Sequence, residues 1–310
     1  MMRNVALRAV IVVCAVCVSI WQAAPVWAHG FAGQRFFPEP IVMEDPFAAD
    51  EMNLPSFSYI RTKDAKELSF GVELQKRITP TVGVSIGGEY AMINPLDPTE
   101  PNHAGYVNPE FALKWTPLID APHEAVIGLQ VSLGSTLGNH NVSESEHSTL
   151  GTQFSFGKGM GDLPPSLGWL RPVAVEGALG LEDQIGATTP EGTVLHTNLV
   201  LQYSIIYLQS FIRDVGIPWP LSRVFPQVEF GFDSLLSGNE RGRTTAYVYP
   251  GFVWAGKYIE IGLEAQFPLN DYTGDNVGVV GMLHLFLDDM MPSVFRPIFG
   301  VAPLKPVVGS

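Results

Sequence analysis

Residues 68–75 read LSFGVELQ, in which Leu68, Phe70, Val72 and Leu74 alternate with Ser69, Gly71, Glu73 and Gln75. Successive side chains of an extended strand point to opposite faces, so a period of two gives this stretch one oily face and one polar face. The pattern recurs along the chain. In residues 81–92, Val82, Val84, Ile86, Tyr90 and Met92 alternate with Gly83, Ser85, Gly87, Glu89 and Ala91. Residues 125–134 (AVIGLQVSLG) and 259–267 (IEIGLEAQF) repeat it.

A soluble β-sandwich and a membrane barrel both alternate, so the polar face has to discriminate. It is dominated by Gly, Ser, Gln and Glu, and long Lys and Arg side chains, common on a solvated sandwich face, are rare there. Small and acidic residues fit a confined aqueous lumen. The runs are also about 10–14 residues long, which suits a tilted membrane crossing better than an ordinary sheet. The expected fold is therefore all-β: an antiparallel transmembrane outer-membrane β-barrel of about 12 strands, near 56–62, 66–78, 81–93, 106–117, 124–137, 149–158, 171–183, 194–209, 225–236, 243–255, 257–268 and 276–287.

The connections agree with that reading. One set (62–65, 94–105, 138–148, 184–193, 237–242 and 270–275) is polar and turn-rich, as outer loops are. The other set includes the tight turns at 79–80 and 255–256, as periplasmic turns should be. Two of its members, 159–170 and 213–224, misfit: they are long and carry Pro, Trp and Leu, and read either as short interfacial segments or as a different strand register there. Tyr59, Tyr90, Tyr106, Trp115, Trp169, Trp219, Tyr249, Trp254 and Tyr258 fall near strand ends, where aromatic girdles lie.

Residues 1–28 read as an export signal: Arg3 and Arg8 precede an apolar run at 9–20, and small residues end at Ala28. Both cysteines, Cys14 and Cys17, lie in that leader, so the exported chain carries no thiol. Its removal leaves 16 basic against 31 acidic residues, a net charge of −15, which disfavours nucleic acid as a partner. After the leader no apolar run reaches the 18 residues of a membrane helix. Residues 29–55, with four prolines, read as an extended periplasmic lead-in, 56–287 as the barrel and 288–310 as a periplasmic tail.

The segment HGFAGQRFFPEPIVMEDPFAADEMNLPS (29–56) and the closing VGVVGMLHLFLDDMMP (277–292) resemble the ends of the outer-membrane family labelled MetA-pathway of phenol degradation. EAQFPLN (264–270) adds to the likeness. The resemblance implies a barrel in the outer membrane that acts as a transporter, and it implies no catalytic residues. Barrels of this kind often end on an aromatic of the last strand; here that residue is Phe286, followed by a further 24 residues.

With polar faces inward, the lumen-lining candidates are Glu73, Glu89, Lys114, Glu176, Glu182, Glu229, Asp233, Glu260 and Glu264, with Arg77 as a second base. Such a lumen favours cations, unless the carboxylates serve as structural ties across a filled interior. Metal ligation is a weaker reading, either at His29, the expected mature N-terminus, or at His140 and His147 beside Glu144 and Glu146. A barrel-embedded lipid hydrolase would use His196 or His284, but GVSIG (83–87), the G-x-S-x-G match, lies inside an alternating strand run, no His-Ser pair of fixed spacing is evident, and GKGMG (157–161) lacks phosphate-loop spacing and reads as a turn. No cofactor is indicated. The expected function is a channel for small solutes, apolar or aromatic ones among them, embedded in outer-membrane lipid. The alternative is a non-conducting structural barrel. Leu199, Leu201, Tyr203 and Ile205 would suit lipid or a neighbouring barrel.

Overall fold

The computed structural model describes residues 30–62, 64–143, 147–186, 192–275 and 277–300. The expected leader and His29 lie outside the described residues, as do Glu144, Glu146 and the last ten residues of the tail.

Twelve antiparallel strand positions close into a barrel. They are β1 (Glu51–Arg61), β2 (Ala65–Thr79), β3 (Val82–Pro95), β4 (Glu110–Asp120), β5 (Ala125–Gly134) and β6 (Ser148–Gly159). The second half holds β7 (Val173–Ile185), β8 (Val194–Tyr203), β9 (Val224–Leu235), β10 (Thr244–Ala255), β11 (Ile259–Pro268) and β12 (Gly278–Phe286). Each pairs with its sequence neighbours, and β12 returns to β1 with Phe286 opposite Glu51. Closure leaves no free sheet edge, the condition for a sheet in hydrocarbon.

The faces are inverted relative to a soluble domain. Phe70, Val72, Val84, Ile86, Leu113, Leu129, Val131, Leu179, Leu181, Leu199, Leu201, Ile261 and Leu263 are 38–51% exposed on the outside. Lys114, Glu176, Gln202, Gln227, Glu229, Glu260, Glu264 and His284 are at most 5% exposed on the inside. In a sandwich the oily rows would be pressed together, so this distribution selects the barrel. No helix among the described residues is long and apolar enough to cross a membrane.

Several boundaries differ from those read in the sequence. β1 begins at Glu51, five residues early, and carries a bulge between Asn53 and Ser56 that shifts its register against both neighbours. The strand expected at 106–117 is broken: His103–Tyr106 pairs with the upper part of β3 and β4 with the lower part, so the two pieces fill one position. Pro109 has no amide hydrogen to continue the ladder there. β8 stops at Tyr203 rather than 209, because Ser204 caps a helical turn by accepting a hydrogen bond from the Tyr207 amide at 3.1 Å. Ile205 is therefore off the strand. Both long connections of the lower rim contain short helices, at Pro165–Leu170 and at Ile205–Ile212 followed by Leu221–Arg223. Residues 157–159 of GKGMG belong to β6 and are not a turn.

Among the girdle aromatics, Tyr59, Tyr90, Tyr106, Trp169, Trp219 and Tyr258 are exposed, and Tyr90 packs edge-on against Tyr106 at 5.2 Å. Trp115 and Trp254 are half-buried, and Tyr249 departs furthest. It is 7% exposed and lines the lumen.

Candidate functional site

Residues 30–50 belong to the segment read as an extended lead-in, whose place inside or outside the barrel the sequence leaves open; they fill the lower half of the lumen. The segment opens with a small hairpin, Phe31–Ala32 against Arg35–Phe36. Arg35 is fully buried, donates from Nε to Glu124 at 3.2 Å and from Nη1 to the Pro172 carbonyl at 2.8 Å, and stacks over the Tyr207 ring. Phe36 meets Phe225 of β9 and Phe286 of β12, so the last-strand aromatic faces inward onto this segment.

Above the hairpin the wall grips the segment by its backbone. The Glu39 amide donates to Glu260 at 3.0 Å, the Ile41 amide to Glu229 at 2.6 Å and the Val42 amide to Glu229 at 3.2 Å. The Ala48 amide donates to Thr116 at 2.8 Å. Met43 packs on Ala178 and Val200. A proline-rich segment cannot satisfy its amides internally, and inward carboxylates do it from the wall. The wall glycines make room. A Cβ on Gly128 would stand 2.7 Å from the Pro46 backbone, and one on Gly262 would stand 2.6 Å from Ile41. The scarcity of bulk on the polar face is thus partly a fit to a plug.

Charge pairs tie the segment at its apex and base. Lys114 reaches Glu44 at 2.9 Å and Asp45 at 3.3 Å. Arg77 joins Asp50 at 2.7 Å to Asp288 at 2.8 Å, linking the plug, β2 and the residues after β12, and Lys76 also pairs with Asp50. The tail continues beneath the rim, where the Phe299 amide donates to the Ile78 carbonyl at 2.8 Å. Burial pushes the Asp45 carboxyl up to about 7, against the pull of Lys114 and with the help of Glu51 and Glu44. Burial and the neighbouring acids Asp45, Glu51 and Glu44 likewise raise Glu39.

The upper half is open. A cavity of about 720 Å³ is lined by Glu67, Glu89, Glu110, Glu182 and His147, among others, and no Lys or Arg among the described residues lines it. A second space of about 290 Å³ lies over the plug apex, where Val42, Met43 and Glu44 meet His196, Asp233, Tyr247 and Tyr249.

The nine candidate positions thus fall at two levels of the inner face. Glu89 and Glu182 line the upper cavity, and Asp233 lines the space over the apex. Glu73 lies beside Glu44 at the apex. Lys114, Glu176, Glu229, Glu260 and Glu264 are sealed below, with Gln202 donating to Glu176 and Gln227 bridging Glu229 and Glu264 at 3.0 Å each. Glu67 and Glu110 were not singled out in the sequence, yet each continues the inward parity of its strand by one step: Glu67, Ser69, Gly71 in β2 and Glu110, Ala112, Lys114 in β4. His140 is exposed in its loop and His147 points to the cavity, so the two do not form a pair there. His196 meets Asp233 at 2.6 Å, and no serine among the described residues lines the space around them.

No family model and no curated protein matches the chain. An outer membrane channel from Pseudomonas putida F1 superposes with a TM-score of 0.55 at 9% identity, covering 81% of this chain and 99% of that one. The fold is that of an outer-membrane β-barrel. LpxR from Salmonella typhimurium (TM-score 0.40, 10% identity, 76% of this chain and 99% of that one) and outer membrane phospholipase A from Escherichia coli (0.37, 11%, 86% and 96%) are also matched.

Proposed function

We propose that this protein is an outer-membrane channel stopped from its periplasmic side by its own residues 30–50, with an acid-lined vestibule that admits small cationic or neutral polar solutes. The observation that carries the reading is the plug apex: Val42 to Glu44 border the space lined by His196, Asp233, Tyr247 and Tyr249, so displacing one segment would open the lower lumen to it. The lining carboxylates favour polar cations over the apolar or aromatic solutes expected earlier. The transporter label of the family that the chain ends resemble points the same way. In this reading residues 1–28 are removed on export and the oily belt meets outer-membrane lipid.

The hydrogen-bonded plug supports a second reading, a permanently closed structural barrel. Planar-bilayer recording separates the two. The full mature chain should be silent or open rarely, and the same chain lacking residues 30–50, shown by heat-modifiable gel migration to be a folded barrel, should conduct steadily with cation preference. A folded, silent deletion variant overturns the channel reading.

A further inference from the structure

The seam between plug and wall holds a group of side chains that neither the plug's hydrogen bonds nor the vestibule explains. Glu39 of the plug, Glu51 at the start of β1 and His284 of β12 each present a ligand atom within 4.8 Å of the other two, and all three residues are buried. Glu260, fully buried, is the cross-strand partner of His284 on β11.

Three independent features point the imidazole into this group. First, His284 Nδ1 lies 2.8 Å from Asn53 Oδ1, and an amide oxygen only accepts, so Nδ1 carries the hydrogen. In the neutral ring this leaves the Nε2 lone pair facing carboxylates, with Glu51 Oε2 at 3.3 Å. A carbonyl oxygen on the far nitrogen is also what orients metal-ligating histidines. Second, Nε2 of His284 and Oε1 of Glu51 make no hydrogen bond although both are buried. Third, the β1 bulge between Asn53 and Ser56 falls opposite this point, and the strand register shifts between Met282 and His284. Bulges commonly re-aim side chains beside functional sites.

Two or three carboxylates crowded against one imidazole in a dry seam need a positive charge among them. An imidazolium or shared protons would supply it, and so would a metal ion. An ion bonded at about 2.0–2.2 Å to N and O ligands draws them to within about 3–4 Å of one another, a small contraction of the present spacing. One imidazole with carboxylates and no thiolate suits a divalent first-row ion.

We propose that Glu39, Glu51 and His284 bind one divalent transition-metal ion, with Glu260 beside them, and that the ion fastens the plug to the barrel wall. Because Glu39 arrives with the plug, the site is complete only when the plug is docked.

The test uses the full mature chain, free of any affinity tag, folded in detergent and stripped with a chelator. Zn²⁺ titrated by calorimetry should bind with a stoichiometry of one, and Co²⁺ should give a ligand-field absorption that Zn²⁺ abolishes. Both His284→Gln and Glu39→Gln should weaken Zn²⁺ binding at least tenfold, while His123→Gln, at an exposed rim position, should not change it. The chain lacking residues 30–50 should lose the site while keeping its barrel. Should either point variant fail to fold by gel shift, the deletion variant still decides. Absence of stoichiometric binding in the folded wild type overturns the proposal, as does undiminished binding in His284→Gln or in the deletion variant.

Discussion

Strand β7 carries Glu176 and Glu182 on the same inner face, yet the two live in different media. Glu176 is fully buried beside Gln202 in the plugged half, and Glu182 faces a cavity of about 720 Å³. Six residues of strand, about 20 Å, separate them. The same contrast sets Glu229 and Glu260 below against Glu67 and Glu110 above. Alternation places a carboxylate in the lumen, and only the presence or absence of the plug beside it decides whether it works as a tie or as a selector. The lower half is a network in which each loss strands a buried partner, whereas the upper carboxylates line a cavity, where a single loss costs less.

The largest effect is therefore expected at Arg77. Arg77→Ala leaves Asp50 and Asp288 buried without the guanidinium, with Lys76 and the residue-77 amide still on Asp50, and removing one member of a buried ion pair costs about 3–5 kcal/mol. Urea unfolding in detergent should show a midpoint shifted down by that amount. A shift below about 1 kcal/mol would mean that the lower half is not a network.

Glu229→Ala should come next. It orphans the Ile41 and Val42 amides at the plug apex, about 2–4 kcal/mol in all, and the open fraction in bilayers should rise on the order of 100-fold. Glu182→Ala, on the vestibule wall, should leave the open fraction where it was. Equal effects at the two positions would erase the distinction between halves.

The barrel was legible in the sequence and the plug only as an open alternative, for a physical reason. Alternation is local: LSFGVELQ declares two faces without reference to any other part of the chain. The plug has no period, because Glu39, Asp45 and Ala48 are fixed by Glu260, Lys114 and Thr116, residues 221, 69 and 68 positions away. A proline-rich acidic stretch reads equally well as a free lead-in. The inward glycines held a hint, since Gly128 and Gly262 stand where a side chain would collide with Pro46 and Ile41. That hint becomes readable only once the segment is known to be there. The break at Pro109 and the cap at Ser204 failed differently. Both are local signals, outweighed by the apolar pattern running through them.

The pH response should sharpen the comparison at smaller amplitude. Asp45 is raised to about 7 when docked, first by burial, with Lys114 opposing and Glu51 and Glu44 adding, against an ordinary 3.8 when released. The docked form then binds the extra proton, so docking is favoured at low pH and weakens as pH rises from about 4 to about 7. Glu39 acts with the same sign. Glu44 acts oppositely: burial alone would raise it, but Lys114 holds it below its ordinary 4.5, so its contribution changes only in more acidic solution. The open fraction should be higher at pH 8 than at pH 5, by at most about tenfold per unit within that window. Asp45→Asn should flatten most of the response.

The smallest effect belongs to the vestibule. A carboxylate about 8 Å from a passing cation in water contributes about 0.5 kcal/mol, a factor of about two in cation preference. Glu89→Gln in the barrel lacking residues 30–50 should move the reversal potential toward zero by that factor in 0.1 M salt. In 1 M salt the screening length falls to about 3 Å, and the difference between Glu89→Gln and its parent should vanish. Glu264→Gln, in the same background, supplies the decisive contrast. With the plug gone its carboxylate joins the water-filled lumen, so a substitution without effect on selectivity in the plugged chain should now change selectivity by the same small factor as Glu89→Gln. If Glu264 stays silent in the open barrel, the wall chemistry differs between the two levels for some reason other than the plug.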